Sequence, residues 1–81
     1  MIVKLVLFAS VKELVGESEL EIEVAEEATV SQVKRHLAEN YPLVEELLGG
    51  CTFAVDQEYA FDGTRLYENC EVGCIPPVSG G

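Results

Sequence analysis

Two segments near the N terminus have the periodicity of β-strands. Residues 2 to 9 form an apolar run of strand length. Strand side chains alternate between two faces. One face of this run carries Val3, Leu5 and Leu7, and the other carries Ile2, Lys4, Val6 and Phe8. Residues 19 to 24 alternate Leu20, Ile22 and Val24 with three glutamates. We predict two paired strands, the first being central in a sheet or having an open face that a partner covers.

Helical signals occupy the next part of the chain. Thr29 followed by Gln32 has the spacing of a capping box. The following apolar stripe predicts the main helix, which ends at Asn40-Tyr41-Pro42; its members are Val30, Val33, Leu37 and Tyr41. A shorter helix is predicted upstream, with Ser10 as N-cap and Gly16 as the C′ glycine. Residues 43 to 48 are predicted to form a loose turn closed by two glycines.

The C-terminal half predicts short strands separated by turns. Strands are expected at residues 51 to 55, 58 to 60 and 70 to 75, with turns at Asp56-Gln57 and Asp62-Gly63. One main helix packed across a mixed sheet of about five strands is an α+β, β-grasp (ubiquitin-like) roll. In such a roll the first and last strands pair in parallel at the centre. We therefore expect a β-grasp domain at residues 1–75 and a flexible tail at residues 76–81.

The acidic composition narrows the classes of partner. The 81 residues include 15 Asp and Glu against 5 Lys and Arg, for a net charge of −10. Nucleic acids and anionic membranes require clustered basic residues, so we expect neither as a partner. No apolar run approaches the roughly 20 residues of a membrane span. Three cysteines are an odd number that suits a reducing compartment, and we interpret them as buried apolar residues of a cytosolic protein.

The last six residues are the most informative part of the chain. They are Pro76, Pro77, Val78, Ser79, Gly80 and Gly81. Proline favours an extended path, and glycine lets a backbone enter a narrow channel. Six extended residues reach roughly 20 Å. The pattern predicts a tail that delivers its carboxylate into another protein, the alternative being an ordinary frayed terminus. Outside the tail we find no nucleophile–histidine–carboxylate set, and with His36 as the one histidine we expect no metal site.

Three segments resemble the family of molybdopterin synthase small subunits, the sulfur carriers of molybdenum cofactor biosynthesis. They are Leu7-Phe8-Ala9 with Lys12 to Gly16, then Phe53 to Tyr59, and Glu71-Val72 with Ile75 to Gly81. The closing Ile-Pro-Pro-Val-Ser-Gly-Gly is highly specific for this family. The likeness spans essentially the whole chain.

The resemblance implies a function for the tail. An E1-like activating enzyme would adenylate Gly81 with ATP and magnesium, and sulfur would then displace AMP to leave a thiocarboxylate. The tail would enter a large synthase subunit and donate sulfur to a cyclic pyranopterin monophosphate. The resemblance implies a heterotetramer of two small and two large subunits, with the catalytic residues on the large ones. No permanently bound cofactor is expected on this chain.

Partner contacts outside the tail are expected on the free face of the sheet. The candidates are Val6, Phe8, Val72 and Cys74. Two other functions stay open. A ubiquitin-like modifier would share the fold and the adenylation but would conjugate Gly81 to lysines. A plain interaction module would have an inert tail, so that loss of its last two residues would leave its activity unchanged.

Overall fold

The computed structural model describes residues 1–77, which fold into five strands and three helices. The strands are β1 (Ile2–Leu7), β2 (Glu19–Glu23), β3 (Thr52–Val55), β4 (Glu58–Ala60) and β5 (Glu71–Ile75). The helices are α1 (Ala9–Val15), α2 (Val30–Asn40) and α3 (Pro42–Leu48). All five predicted strands are present. Within the described residues no helix has the length and apolar character needed to cross a membrane.

The sheet has the strand order β2-β1-β5-β3-β4. β1 pairs with β5 in parallel, with Leu5 beside Val72, and the other neighbouring strands pair antiparallel. The first and last strands therefore meet at the centre of a mixed sheet. The α+β, β-grasp fold that the sequence predicted is confirmed.

The three helices cover one face of this sheet and enclose the core. β1 contributes Val3, Leu5 and Leu7, which are at most 2% exposed. The helices contribute the buried residues Val11, Val30, Val33, Leu37, Val44 and Leu48. No polar side chain is buried anywhere in residues 1–77. The core is therefore entirely apolar, and none of the helices in the described part of the chain lies over the second face of the sheet.

The ends of α1 and α2 test the predicted caps. Thr29 precedes α2 as its N-cap, and its N–H donates to Gln32 Oε1 at 2.6 Å, which confirms the capping box. Gly16 has φ 87°, and its N–H donates to the Lys12 carbonyl at 2.8 Å, as expected of a C′ glycine. Ser10 as N-cap was wrong. The N-cap is Phe8, two residues earlier, and its carbonyl accepts the first hydrogen bonds of the helix.

α3 corrects the loose turn predicted at residues 43 to 48. Pro42 occupies the first turn of this helix, where its missing N–H costs nothing. Val44 and Leu48 are four residues apart, and both are buried on the side that faces the core. The helix is short, so its stability comes from this packing more than from its intrinsic propensity.

Tight turns connect the C-terminal strands. Asp56 and Gln57 have φ values of 48° and 71°, as in the two-residue turns that match the twist of a β-hairpin. The predicted Asp62-Gly63 turn is present and is closed by a hydrogen bond from Thr64 N–H to the Phe61 carbonyl at 3.0 Å. Thr64 in turn accepts a backbone hydrogen bond from Val30, which attaches this loop to the start of α2.

Candidate functional site: the open sheet face and the base of the tail

The uncovered face of the sheet contains a shallow apolar groove. Its volume is about 280 Å³, and it crosses strands β1, β5, β3 and β4. The lining residues are Val6, Phe8, Ala54, Gln57, Tyr59, Glu71, Gly73 and Ile75. Ile75 is the last residue before Pro76, so the groove ends where the tail begins.

Phe8 and Gly73 shape the floor of the groove. Val6 lies beside Gly73 in the parallel register, and Phe8 follows immediately after β1. A Cβ placed on Gly73 would lie 3.5 Å from Cε2 of Phe8, so the ring rests above the bare backbone of β5. Phe8 remains 45% exposed and Tyr59 83% exposed. Large aromatic surface is thus open to solvent on this face, as is typical of interaction surfaces.

The structure corrects two of the four predicted interface residues. Val72 and Cys74 have no exposed surface, because they lie beside Leu5 and Leu7 on the helix-covered face. They are core residues and are not available to a partner. Val6 and Phe8 do lie on the open face, and their contact with a partner stays a prediction.

Acidic side chains lie along the β2 side of the apolar groove. β2, at the edge beside β1, has Glu19, Glu21 and Glu23 exposed. Lys4 on β1 lies between Glu21 and Glu71 in the register. An apolar groove with acidic side chains along one side fits a partner that has basic side chains beside an apolar patch.

The base of the tail is packed against the body of the protein. Ile75 is 38% exposed, whereas Pro76 is buried. Pro77 packs on Gly50, the second glycine after α3. The predicted site residues Val78, Ser79, Gly80 and Gly81 lie outside the described residues, and their roles stay predictions.

The cysteines do not form a reactive centre in the described part of the chain. All three are free thiols; Cys70 and Cys74 are buried, and Cys51 is partly buried. Burial is the largest cause that raises the pKa of each thiol, and the shift is greatest for Cys74. Cys51 Sγ donates to the Leu47 carbonyl at 3.2 Å. Within residues 1–77 no three His, Cys, Asp or Glu side chains are grouped closely enough to hold a metal ion.

Comparison with known proteins gives the family. The ThiS family model matches residues 5–81. The chain belongs to the ThiS family. The molybdopterin synthase sulfur carrier subunit of Caenorhabditis elegans is 37% identical over 81 residues, which covers 98% of this chain and 96% of that protein. The resemblance found in the sequence is therefore confirmed.

Solved structures of this ThiS-family fold include two informative neighbours. The crystal structure of SAMP1, small archaeal modifier protein 1, from Haloferax volcanii has a TM-score of 0.88 at 26% identity over 100% of both chains. A chain in the complex of subunits 1 and 2 of molybdopterin-converting factor from Helicobacter pylori 26695 has a TM-score of 0.73. Its identity is 24% over 100% of both chains, a likeness that shows the fold.

The sequence interpretation missed part of the groove. Ala54, Tyr59, Gly73 and Ile75 line it but were not predicted as site residues. A signal was present in β5, where Glu71 and Gly73 alternate with Val72 and Cys74. The polar and glycine positions mark the open face of a strand whose other face is apolar.

Proposed function

We propose that this ThiS-family protein is the sulfur carrier subunit of molybdopterin synthase. The observation that carries the proposal is the likeness to relatives of that name over nearly the whole of both chains. The geometry supports it, because the open groove ends at Ile75, directly before the tail. A partner that covers the groove would receive the tail in the same docking event.

Gly81 is the reacting residue in this proposal. Its carboxylate attacks the α-phosphorus of ATP on an E1-like enzyme that holds magnesium, and pyrophosphate leaves. A hydrosulfide-level sulfur nucleophile then attacks the acyl carbon of the adenylate, AMP leaves with the bonding electrons, and loss of the proton on sulfur leaves a thiocarboxylate. Gly80 and Gly81 have no side chain to obstruct a channel, while Pro76 and Pro77 restrict the free conformers of the tail.

The thiocarboxylate then serves as the sulfur donor. Its sulfur bonds to a carbon of a cyclic pyranopterin monophosphate held by a large subunit, which supplies the catalytic groups. Water then attacks the Gly81 acyl carbon, the acyl carbon–sulfur bond breaks with its electrons going to sulfur, and Gly81 returns to a carboxylate. Two sulfurs are needed for one dithiolene, consistent with a heterotetramer of two small and two large subunits in the cytosol. Val6 and Phe8 would contact the large subunit, and the tail from Pro76 to Gly81 would thread into it. The H. pylori neighbour is a chain of this fold in a two-subunit complex.

Intact mass spectrometry tests the carrier function. The chain is incubated with an E1-like enzyme, ATP, magnesium and a sulfur donor. A mass gain equal to the exchange of one oxygen for one sulfur is expected, and deletion of Gly81 should abolish it. The proposal would be refuted if this chain showed no exchange with an enzyme that does convert another carrier.

A second candidate is protein modification through the same terminus. It is favoured by the likeness to SAMP1, which is named as a modifier protein. The two functions differ in their products, because a modifier forms isopeptide adducts on lysine side chains. Tryptic peptide mapping of cell extracts for lysines that carry residues 66–81, the remnant left by cleavage after Arg65, would distinguish them.

A further inference from the structure

The turn between α3 and β3 lies beside the base of the tail. In the antiparallel β3–β5 ladder, Thr52 pairs with Ile75. Continuing this register by two positions places Gly50 opposite Pro77. Proline has no N–H, so the hydrogen-bonded ladder cannot continue through the two prolines in the same way. Packing therefore has to hold the chain at this point.

Gly50 provides the surface on which Pro77 packs. A Cβ built on Gly50 would lie 3.1 Å from Pro77 Cγ, 3.3 Å from its Cβ and 3.6 Å from its Cδ. Gly50 does not have a positive φ, so its backbone conformation does not require glycine. Gly49, its neighbour, has φ −61° and no atom within 4 Å of an added Cβ. The close approach of the Pro77 ring therefore requires glycine at position 50, whereas nothing in the described part of the chain requires glycine at position 49.

Hydrogen bonds to α3 fix the position of Gly50. Its N–H donates to the Leu47 carbonyl at 3.0 Å, and the N–H of Cys51 donates to the Leu48 carbonyl at 3.1 Å. Leu48 is anchored in the core, and Pro76 is buried just before the packed ring. The Gly50–Pro77 contact therefore joins the first residues of the tail to the rigid part of the domain.

We propose that Gly50 is a positioning residue for the sulfur-carrying tail. Its bare backbone accepts the ring of Pro77 and so sets the direction in which the chain leaves the domain. The inference rests on the proposed function, in which the residues after Pro77 enter a partner's active site. Restricting the base of the tail before binding lowers the entropy lost when the tail docks.

Alanine at position 50 separates this role from a role in folding. Its Cβ would push the Pro77 ring away by a few tenths of an ångström. Since Pro77 is close to the chain terminus, it can move without disturbing the core, and thermal stability should hardly change. The displaced ring no longer sets the same direction for the tail, which must then be reoriented on docking, so KM for the activating enzyme should rise by about three- to tenfold with kcat unchanged.

The experiment measures thiocarboxylate formation by the E1-like enzyme as a function of carrier concentration. It compares the wild type with Gly50→Ala, with the matched control Gly49→Ala, and with Pro77→Ala, which removes the contact from the other side. NMR spectra of the free proteins test for a nuclear Overhauser effect between Gly50 Hα and the Pro77 ring. We expect this effect in the wild type and Gly49→Ala, and a weaker effect from position 50 in Gly50→Ala, where the ring is displaced.

The outcomes separate the two proposals. A higher KM for both Gly50→Ala and Pro77→Ala, with Gly49→Ala like the wild type, supports the positioning role. Equal KM values for Gly50→Ala and Gly49→Ala, on a wild type that is converted, overturn it. If an enzyme competent on another carrier does not convert the wild type, the carrier function fails. Absence of the Gly50–Pro77 effect from the wild-type spectrum overturns the positioning role by itself.

Discussion

Replacing Phe8 by alanine tests the open face as the surface that binds the large synthase subunit. Phe8 is 45% exposed at the floor of the groove. An aromatic side chain has roughly 200 Å² to bury, so about 90 Å² of this ring is available to a partner. At about 25 cal/mol per Å², covering that area is worth about 2 kcal/mol. We therefore expect affinity for the large subunit to fall about 30-fold in Phe8→Ala.

The same substitution also affects folding, and the two effects must be measured separately. The part of Phe8 that is already buried rests over Gly73, and its loss should lower the free energy of unfolding by about 2 kcal/mol. A domain of this size has a stability of very roughly 4–12 kcal/mol, so the variant should remain mostly folded. Urea unfolding followed by circular dichroism gives the stability term.

Isothermal titration calorimetry with the purified large subunit gives the binding term. Leu43→Ala is the matched control, because Leu43 is 64% exposed but lies on α3, across the sheet from the groove. It should bind like the wild type. A dissociation constant for folded Phe8→Ala within about twofold of wild type would refute the assignment of this face, since far more than about 0.4 kcal/mol is expected.

Three further predictions concern the domain itself. Val72→Ala should lower the free energy of unfolding by about 2–3 kcal/mol in urea, while the exposed Thr52→Ala should not; equal values would contradict the core placement of Val72. Thr29→Ala should lower the free energy of unfolding by about 1 kcal/mol because the N-cap of α2 is lost, and Ser10→Ala should leave it almost unchanged. Thermal melts measure both, and a larger loss for Ser10→Ala would contradict the position at which α1 begins. Burial raises the pKa of all three thiols from the usual 9.0, so the stability contributed by the neutral buried thiols is full well below that pH and should be lost progressively as pH rises through 9.0 and above; no loss relative to a cysteine-free variant would contradict this.

Local patterns predicted the strands and the main helix because local interactions determine them. The alternation of residues 2 to 7 groups Val3 with Leu5 on one face whatever the neighbouring strand is. The capping box at Thr29 and Gln32 is formed within four residues of chain, so it could be identified without the fold. These features follow from the regular side-chain spacing of strands and helices, so they can be predicted from the order of residues alone.

α3 was missed because its evidence is not local. Seven residues give fewer than two full turns of periodicity, and the two glycines that follow are typical of loops. The helix is stabilised by the burial of Val44 and Leu48 against other elements. Such packing depends on where α1 and α2 lie, and the positions of those helices cannot be predicted from the sequence of residues 43 to 48.

The error at Val72 and Cys74 came from a missing register. The alternation within β5 correctly separates these two residues from Gly73 and Ile75, and the alternation within β1 correctly separates Val6 from Leu7. Neither pattern indicates which residues of β5 lie on the same face of the sheet as Val6. The parallel register decides it, since Val6 lies beside Gly73 and Leu7 beside Cys74. The register also explains Gly73, which alternation alone did not: the missing side chain leaves room for the Phe8 ring on the open face, beside the strand that leads into the tail.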